Sequence, residues 1–166
     1  MRYSLSHDRN ETTYLRKELE NAERYLDIEK VRFGKRLKYV SHIPEACLDA
    51  PIPNLILQPL LENAIKHGIG PRPTPGRITI RSRRAGGLLE LIVQDDGVGL
   101  SAARLSDFNR GVGLSNTRSR LEHLYGSLHR FEFRQPAEGG LLVSMAIPLA
   151  TVDEGDVGGE VVEGAA

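Results

Sequence analysis

The chain has 166 residues, 40% of them hydrophobic, enough for one compact domain with a real core. Lys plus Arg and Asp plus Glu both number 22, and this balance excludes attraction of the whole surface to nucleic acid or to an anionic membrane. The single cysteine, Cys47, excludes an internal disulfide, fits a reducing compartment and reads as a small semi-buried residue.

Residues 1–10 are polar and poorly patterned. From Thr12 to Phe33 the spacing predicts a helix, with Leu15, Leu19, Ala22, Leu26 and Phe33 on one stripe and Glu18, Glu20, Glu23, Arg24 and Lys30 largely outside it. That stripe could pair with another helix as easily as pack on its own domain. Gly34 ends it. Arg36 to Val40 alternates as a strand should. Ser41 to Pro53, with three prolines, reads as a loop, and Pro53 suits the first turn of a helix running to His67. Gly68 and Gly70-Pro71 stop that helix, and Pro59 inside it predicts a local kink.

Arg77 to Arg83 and Leu88 to Gln94 read as two strands of a hairpin closed by Ala85-Gly86-Gly87. Leu100 to Arg110 is a mixed polar connection, and Gly113 to Tyr125 has helical spacing in Leu114, Leu121 and Leu124. Two last strands follow, Leu128 to Phe133 and Leu141 to Ile147, with a turn at Gln135 to Gly140. The tail after Ala150, rich in Gly, Asp and Glu, is expected to be disordered. Strands interspersed with helices indicate an α/β sandwich, a mixed sheet covered on one face by helices, with an N-terminal helix added. No signal-peptide pattern and no bilayer-spanning apolar run occurs, so a soluble, cytoplasmic chain is expected.

Three segments carry chemistry. In Leu60-Leu61-Glu62-Asn63-Ala64-Ile65-Lys66-His67-Gly68, helical spacing puts Asn63, Lys66 and His67 on one face. An amide oxygen beside an ammonium and an imidazole suits a phosphate chain carrying a hard cation, though a solvated helix face would read the same. In Leu91-Ile92-Val93-Gln94-Asp95-Asp96-Gly97-Val98-Gly99 an apolar strand runs into two acids and two glycines. Such a carboxylate can accept from an exocyclic amine while the glycines admit a ligand to the backbone. An ordinary turn is the alternative. In Gly111-Val112-Gly113-Leu114-Ser115-Asn116-Thr117-Arg118, glycines precede a helix whose first free N–H groups could face an anion. It is not a P-loop, because the GxxxxGK[ST] string is absent.

In this order the three segments resemble the N, G1 and G2 boxes of the GHKL ATPase superfamily, whose fold is the Bergerat sandwich. Tyr25 to Gly34, followed by Leu57-Gln58-Pro59-Leu60-Leu61-Glu62-Asn63-Ala64-Ile65-Lys66-His67-Gly68, is similar to the LytS/YehU type of sensor histidine kinase. The resemblance runs from about Arg2 to Leu149. It implies that Asn63 holds Mg²⁺ against the triphosphate of ATP, with Lys66 and His67 near the phosphates. Asp95 would accept from the adenine amine, and Gly97 and Gly99 would line the base pocket. Gly111, Gly113 and Leu114 would form the phosphate-facing start of a helix, with Asn116 and Arg118 as further phosphate contacts. Leu100 to Arg110 would be a short ATP lid.

Two positions depart from the superfamily pattern. Pro59 stands where ATP-hydrolysing members carry a glutamate, and Gly139-Gly140-Leu141 stands where relatives often have Gly-Thr. Glu62 points about 100° away from Asn63 on an ideal helix, which argues against a general-base role.

The resemblance therefore implies a histidine kinase domain in three parts: a helical linker over 1–34 following a phosphoacceptor segment, an ATP-binding catalytic domain over 35–149, and a tail over 150–166. Its γ-phosphoryl group would go to a histidine on a segment absent here, since none of His7, His42, His67, His123 and His129 lies in a Pro-His-Phe acceptor string. The expected partners are that segment and a response regulator, in a homodimeric, membrane-anchored receptor whose cytoplasmic part this is, with no nucleic acid. An ATP-hydrolysing clamp and a non-catalytic nucleotide-binding scaffold are the alternatives.

Overall fold

The computed structural model describes residues 11–110 and 113–149. The chain opens with a short strand, β1 (Thr12–Tyr14), and only then enters the long helix α1 (Leu15–Phe33). β1 pairs antiparallel with β3 (Pro51–Pro53), inside what the sequence presents as helix and loop respectively. Two adjacent β-branched threonines favour that extended start over a helical turn. Pro53 is consequently the end of a strand, opposite Thr12, and not the first turn of a helix.

The main sheet has five strands in the order β2-β4-β5-β7-β6. These are β2 (Leu37–His42), β4 (Gly76–Ala85), β5 (Leu88–Asp95), β6 (Arg130–Arg134) and β7 (Leu141–Pro148). β2 and β4 are parallel, and the other neighbours are antiparallel, which makes the sheet mixed. Alternation sorts its side chains: Ile78, Ile80, Leu89, Leu91, Val93, Leu141, Val143, Met145 and Ile147 are buried. They share one core with Leu15, Leu19, Ala22 and Leu26 of α1, with Leu57, Leu60 and Leu61 of α3 (Leu57–Asn63), and with Leu114, Leu121 and Tyr125 of α5 (Leu114–Tyr125). The expected sandwich, one helical layer on one face of a mixed sheet, is the observed architecture. A single turn of helix, α2 (Glu45–Leu48), fills part of the expected Ser41 to Pro53 loop and buries Cys47.

Several boundaries differ from the sequence reading. Leu128 belongs to a 3₁₀ turn, Gly126–Leu128, so the sixth strand begins at Arg130. The Leu100 to Arg110 connection contains a helix, α4 (Ala102–Asn109), capped by the Ser101 hydroxyl, which accepts from the Arg104 N–H at 3.2 Å. Pro59 is the third residue of α3, where a backbone N–H has no intrahelical partner to lose. The departure from α geometry comes later, as a π-helical stretch at Ala64–Ile69 marked by the Gly70 N–H donating to the Ile65 carbonyl at 2.8 Å.

Glu18 is the clearest correction. Far from lying outside the apolar stripe, it is 3% exposed and joins α1 to the start of α3. Its Oε1 accepts from the Leu55 N–H at 2.7 Å, and its Oε2 from the N–H groups of Ile56 and Leu57 at 3.0 and 3.3 Å. Left-handed backbone at Leu55, φ 54°, followed by right-handed Ile56, turns successive amides toward one carboxylate, an anion-binding nest. Here a carboxylate sits at the positive end of α3, and the burial of its charge is offset by three donors.

Replacing Glu18 with Gln keeps the shape but turns an amide NH₂ toward backbone donors. We expect a loss of about 1–3 kcal/mol in unfolding free energy by urea titration. An unchanged midpoint would show that the three bonds contribute nothing net.

Candidate nucleotide site

The site begins with strand β5. Leu89, Leu91 and Val93 face inward, so the same alternation carries Asp95 into the core at 2% exposure, while Asp96 is exposed. A buried carboxylate needs partners. The Gly97 N–H donates to Asp95 Oδ1 at 2.9 Å, and Arg104 Nη2 donates to Oδ2 at 2.7 Å. Asp96 instead accepts at Oδ1 from the Arg77 N–H at 2.8 Å, which ties the end of β5 to β4.

Close approach around Asp95 explains two glycines. A Cβ on Gly68 would stand 2.6 Å from Asp95 Oδ1, so any larger residue would push the π-helical stretch off the carboxylate. A Cβ on Gly140 would stand 1.9 Å from the Asp95 carbonyl oxygen, and φ +77° independently favours glycine there. Where relatives often carry Gly-Thr, the second glycine of Gly139-Gly140-Leu141 thus serves packing.

Beside this sits a cleft of about 800 Å³. One wall is α3 and its π-helical extension, with Pro59, Glu62, Asn63, Lys66 and His67. Facing it are Gly113 and Leu114 at the start of α5, with Asp107 and Phe108 of α4 and with Tyr25, Glu29, Phe33 and Arg36 from α1 and the turn after it. The structure therefore brings together Asn63, Lys66, His67, Gly113 and Leu114. Glu62 also lines the cleft, exposed, with its Oε1 accepting from Gln58 Nε2 at 2.9 Å.

Other expected site residues stand apart from the cleft. Asp95, Gly97 and Gly99 are buried behind it, with the Gly99 carbonyl accepting from Arg104 Nη1 at 2.9 Å. Asn116 is exposed on α5 and does not line the cleft. Arg118 lies over aromatic rings, 5.7 Å from the centroid of Phe131 and 5.3 Å from that of Phe133. Gly111 lies outside the described residues.

Arg104 and Asp107 are site residues that sequence spacing does not single out, because the stretch around them, rich in Ala, Ser and charged residues, reads as a polar connection. Asp107 Oδ2 lies 2.6 Å from His67 Nε2. Burial pushes the His67 imidazole below its ordinary value by more than the Asp107 charge raises it, with Lys66 and Arg104 adding to the lowering. A neutral ring must then carry its proton on Nε2 to donate to Asp107. Burial, then the Glu29 and Glu62 carboxylates, push the Tyr25 hydroxyl up to about 12, so it remains a neutral donor at the cleft wall.

The lowered His67 value fixes the sign of a pH effect. The folded ring takes its proton less readily than the unfolded chain does, so its contribution is full above the ordinary pKa and is lost as pH falls through the folded value. Between about pH 7.5 and about pH 5.5 the wild type is expected to lose more thermal stability than His67→Gln. Equal losses in a melting series would show that burial of the ring has no energetic consequence.

The family described as "Histidine kinase-, DNA gyrase B-, and HSP90-like ATPase" matches residues 49–151, and that described as "Histidine kinase" matches residues 1–37. The sensor histidine kinase YesM of Bacillus subtilis (strain 168) is 32% identical over 143 residues, 86% of this chain and 25% of that protein. The sensor protein LytS of Staphylococcus haemolyticus (strain JCSC1435) is 35% identical, covering 92% of this chain and 28% of that one. The chain thus spans about a quarter of the length of these curated relatives. Among solved structures, the catalytic domain of histidine kinase ThkA superposes with a TM-score of 0.64 at 15% identity, covering 83% of this chain and 94% of that one. The histidine kinase domain of the blue-light activated kinase of Erythrobacter litoralis EL346 gives 0.63 at 19% identity, with 82% and 61% covered. Both likenesses are likenesses of fold. The chain belongs to the histidine kinase-, DNA gyrase B- and HSP90-like ATPase family, and within it stands with the LytS-type sensor histidine kinases.

Proposed function

We propose that the chain binds Mg·ATP between Asp95 and the cleft and passes the γ-phosphoryl group to a histidine on a phosphoacceptor segment of the full-length kinase. The observation that carries this reading is the cleft itself. It sets Asn63, Lys66 and His67 across from the glycine start of α5, with a buried carboxylate behind. Asp95 would accept from the adenine amine, and the first turn of α5 would offer free N–H groups to phosphate oxygens. Lys66 would neutralise charge, and neutral His67 would stay with Asp107.

The donor set fits a magnesium ion. Among the described residues no group of three or more acids, histidines or cysteines could hold a metal, so a protein cage is not on offer. Asn63 lines the cleft and offers there a neutral side-chain amide, whose oxygen is the atom able to ligate a hard cation. A cation held by one protein oxygen, with phosphate oxygens and waters as its other ligands, suits that arrangement. When bound it supplies charge neutralisation on the triphosphate; the chain supplies position, as phosphoryl transfer generally requires.

In the whole protein the phosphoryl group would move on to a response regulator, and the kinase would act as a homodimer. We place this domain on the cytoplasmic side of a membrane-anchored receptor; among the described residues no helix is long and apolar enough to cross a membrane. The second reading, simple ATP hydrolysis, would need a base at the cleft, where Glu62 lines the wall although its helical direction diverges from that of Asn63.

Phosphotransfer separates the two. Labelled ATP with an added histidine-bearing acceptor segment should place acid-labile label on that segment, and turnover without acceptor would favour hydrolysis. The adenine assignment has its own measurement. Calorimetry should show ATP preferred over the purine riboside triphosphate, which lacks the 6-amine, by about 1–3 kcal/mol. Asp95→Asn should erase most of that preference, and a wild type with no preference would end the assignment. Asn63→Ala should weaken Mg·ATP far more than adenosine; equal losses would mean that the helix is disrupted.

A further inference from the structure

Arg104 is the bulkiest of the fully buried side chains in the described protein, at 0% exposure. Arginine reaches such a position only when paired. Its guanidinium donates to Asp95 Oδ2 at 2.7 Å, to the Gly99 carbonyl at 2.9 Å and, at 3.4 Å, to the Asn63 carbonyl. It is a planar N–H donor group seated on the carboxylate assigned above to the adenine amine. The open cleft reaches Asn63, Lys66 and Gly113 but not Asp95, Gly97 or Gly99. The phosphate half of the site is accessible, and the base half is filled by Arg104.

Two further contacts hold α4 in this position. Asp107 meets His67 at 2.6 Å, and the Phe108 ring stacks on Phe133 with centroids 4.6 Å apart and planes 26° apart. The helix is therefore fastened at three points, one over the base pocket, one over the cleft wall and one on the edge strand.

We propose that Arg104 is an internal competitor for the base subsite: with α4 fastened, its guanidinium excludes adenine, and a nucleotide enters only by taking Asp95 from it. The inference rests on the adenine reading of Asp95. It makes affinity depend on the fraction of molecules in which α4 has released the carboxylate, since binding is weakened by the reciprocal of that fraction. Whatever loosens α4, such as a contact on Phe108 or Asp107, then raises nucleotide affinity without touching the base pocket.

Adenosine distinguishes this role from a phosphate contact, because it has no phosphates to lose. Calorimetry on the full chain should show Arg104→Ala binding both adenosine and Mg·ATP about ten- to a hundredfold more tightly, matching a releasing population of about 1–10%. Phe108→Ala leaves Asp95 and Arg104 in place and should tighten both ligands in the same direction by a smaller factor. In stopped-flow mixing with a fluorescent adenine nucleotide, the wild-type rate should level off at the rate of Arg104 release. If Arg104→Ala fails to fold, Phe108→Ala and the wild-type kinetics decide. Unchanged or weaker adenosine binding in the variants, or a wild-type rate that stays linear in nucleotide, would overturn the proposal. The adenine reading would survive that result as long as the wild type still prefers the 6-amine, so the two failures are distinguishable.

Discussion

A carboxylate that the sheet forces indoors organises this molecule. β5 alternates without interruption through Leu89, Leu91 and Val93, and the next inward position is Asp95. An uncompensated charge there would cost several kcal/mol, roughly a third or more of a typical domain's stability. The surroundings are arranged around that cost. The Gly97 N–H satisfies one oxygen, Arg104 satisfies the other, and Gly68 and Gly140 let two further segments close to within contact of the same residue. The π-helical stretch after α3, the turn before β7 and α4 thus converge on one side chain.

Glu18 poses the same problem with a different solution. Its carboxylate is as buried as that of Asp95, yet every recorded donor to it is a backbone N–H, from Leu55, Ile56 and Leu57. Those donors are N–H groups at and just before the first turn of α3 that have no intrahelical partner, so the pairing ties α1 to the start of that helix. The second oxygen of Asp95 is instead met by a side chain on a short helix, α4. On the proposed reading, the identity of the donor separates a structural carboxylate from one that exchanges partners with a ligand.

The parts of this that were legible in the sequence follow from periodicity. The alternation of β4, β5 and β7, and the stripe of Leu15, Leu19, Ala22 and Leu26, specify a sandwich because each needs a covering layer. Alternation also reaches Asp95, whose burial is the next step of the pattern. Failures came where local chemistry was decided by a distant partner. Thr12–Tyr14 is a strand only because Pro51–Pro53 lies opposite, and Glu18 is inside only because three amides 37 to 39 residues away face it. Arg104 sits in a polar segment whose composition matches any solvated loop, and nothing nearby in sequence marks it as buried.

The π-helical stretch connects these observations. A regular α-helix through Ala64–Ile69 would turn each later side chain farther round the axis than the wider π spiral does. Widening there lets the stretch lay Gly68 against Asp95 while His67, one residue earlier, reaches Asp107 on α4. Lys66 stays on the cleft wall. One irregular turn therefore touches Asp95, the helix α4 and the cleft. α4 in turn contacts His67 through Asp107 and Asp95 through Arg104, so on the proposed reading one helix packs against both the base side and the phosphate side of the site.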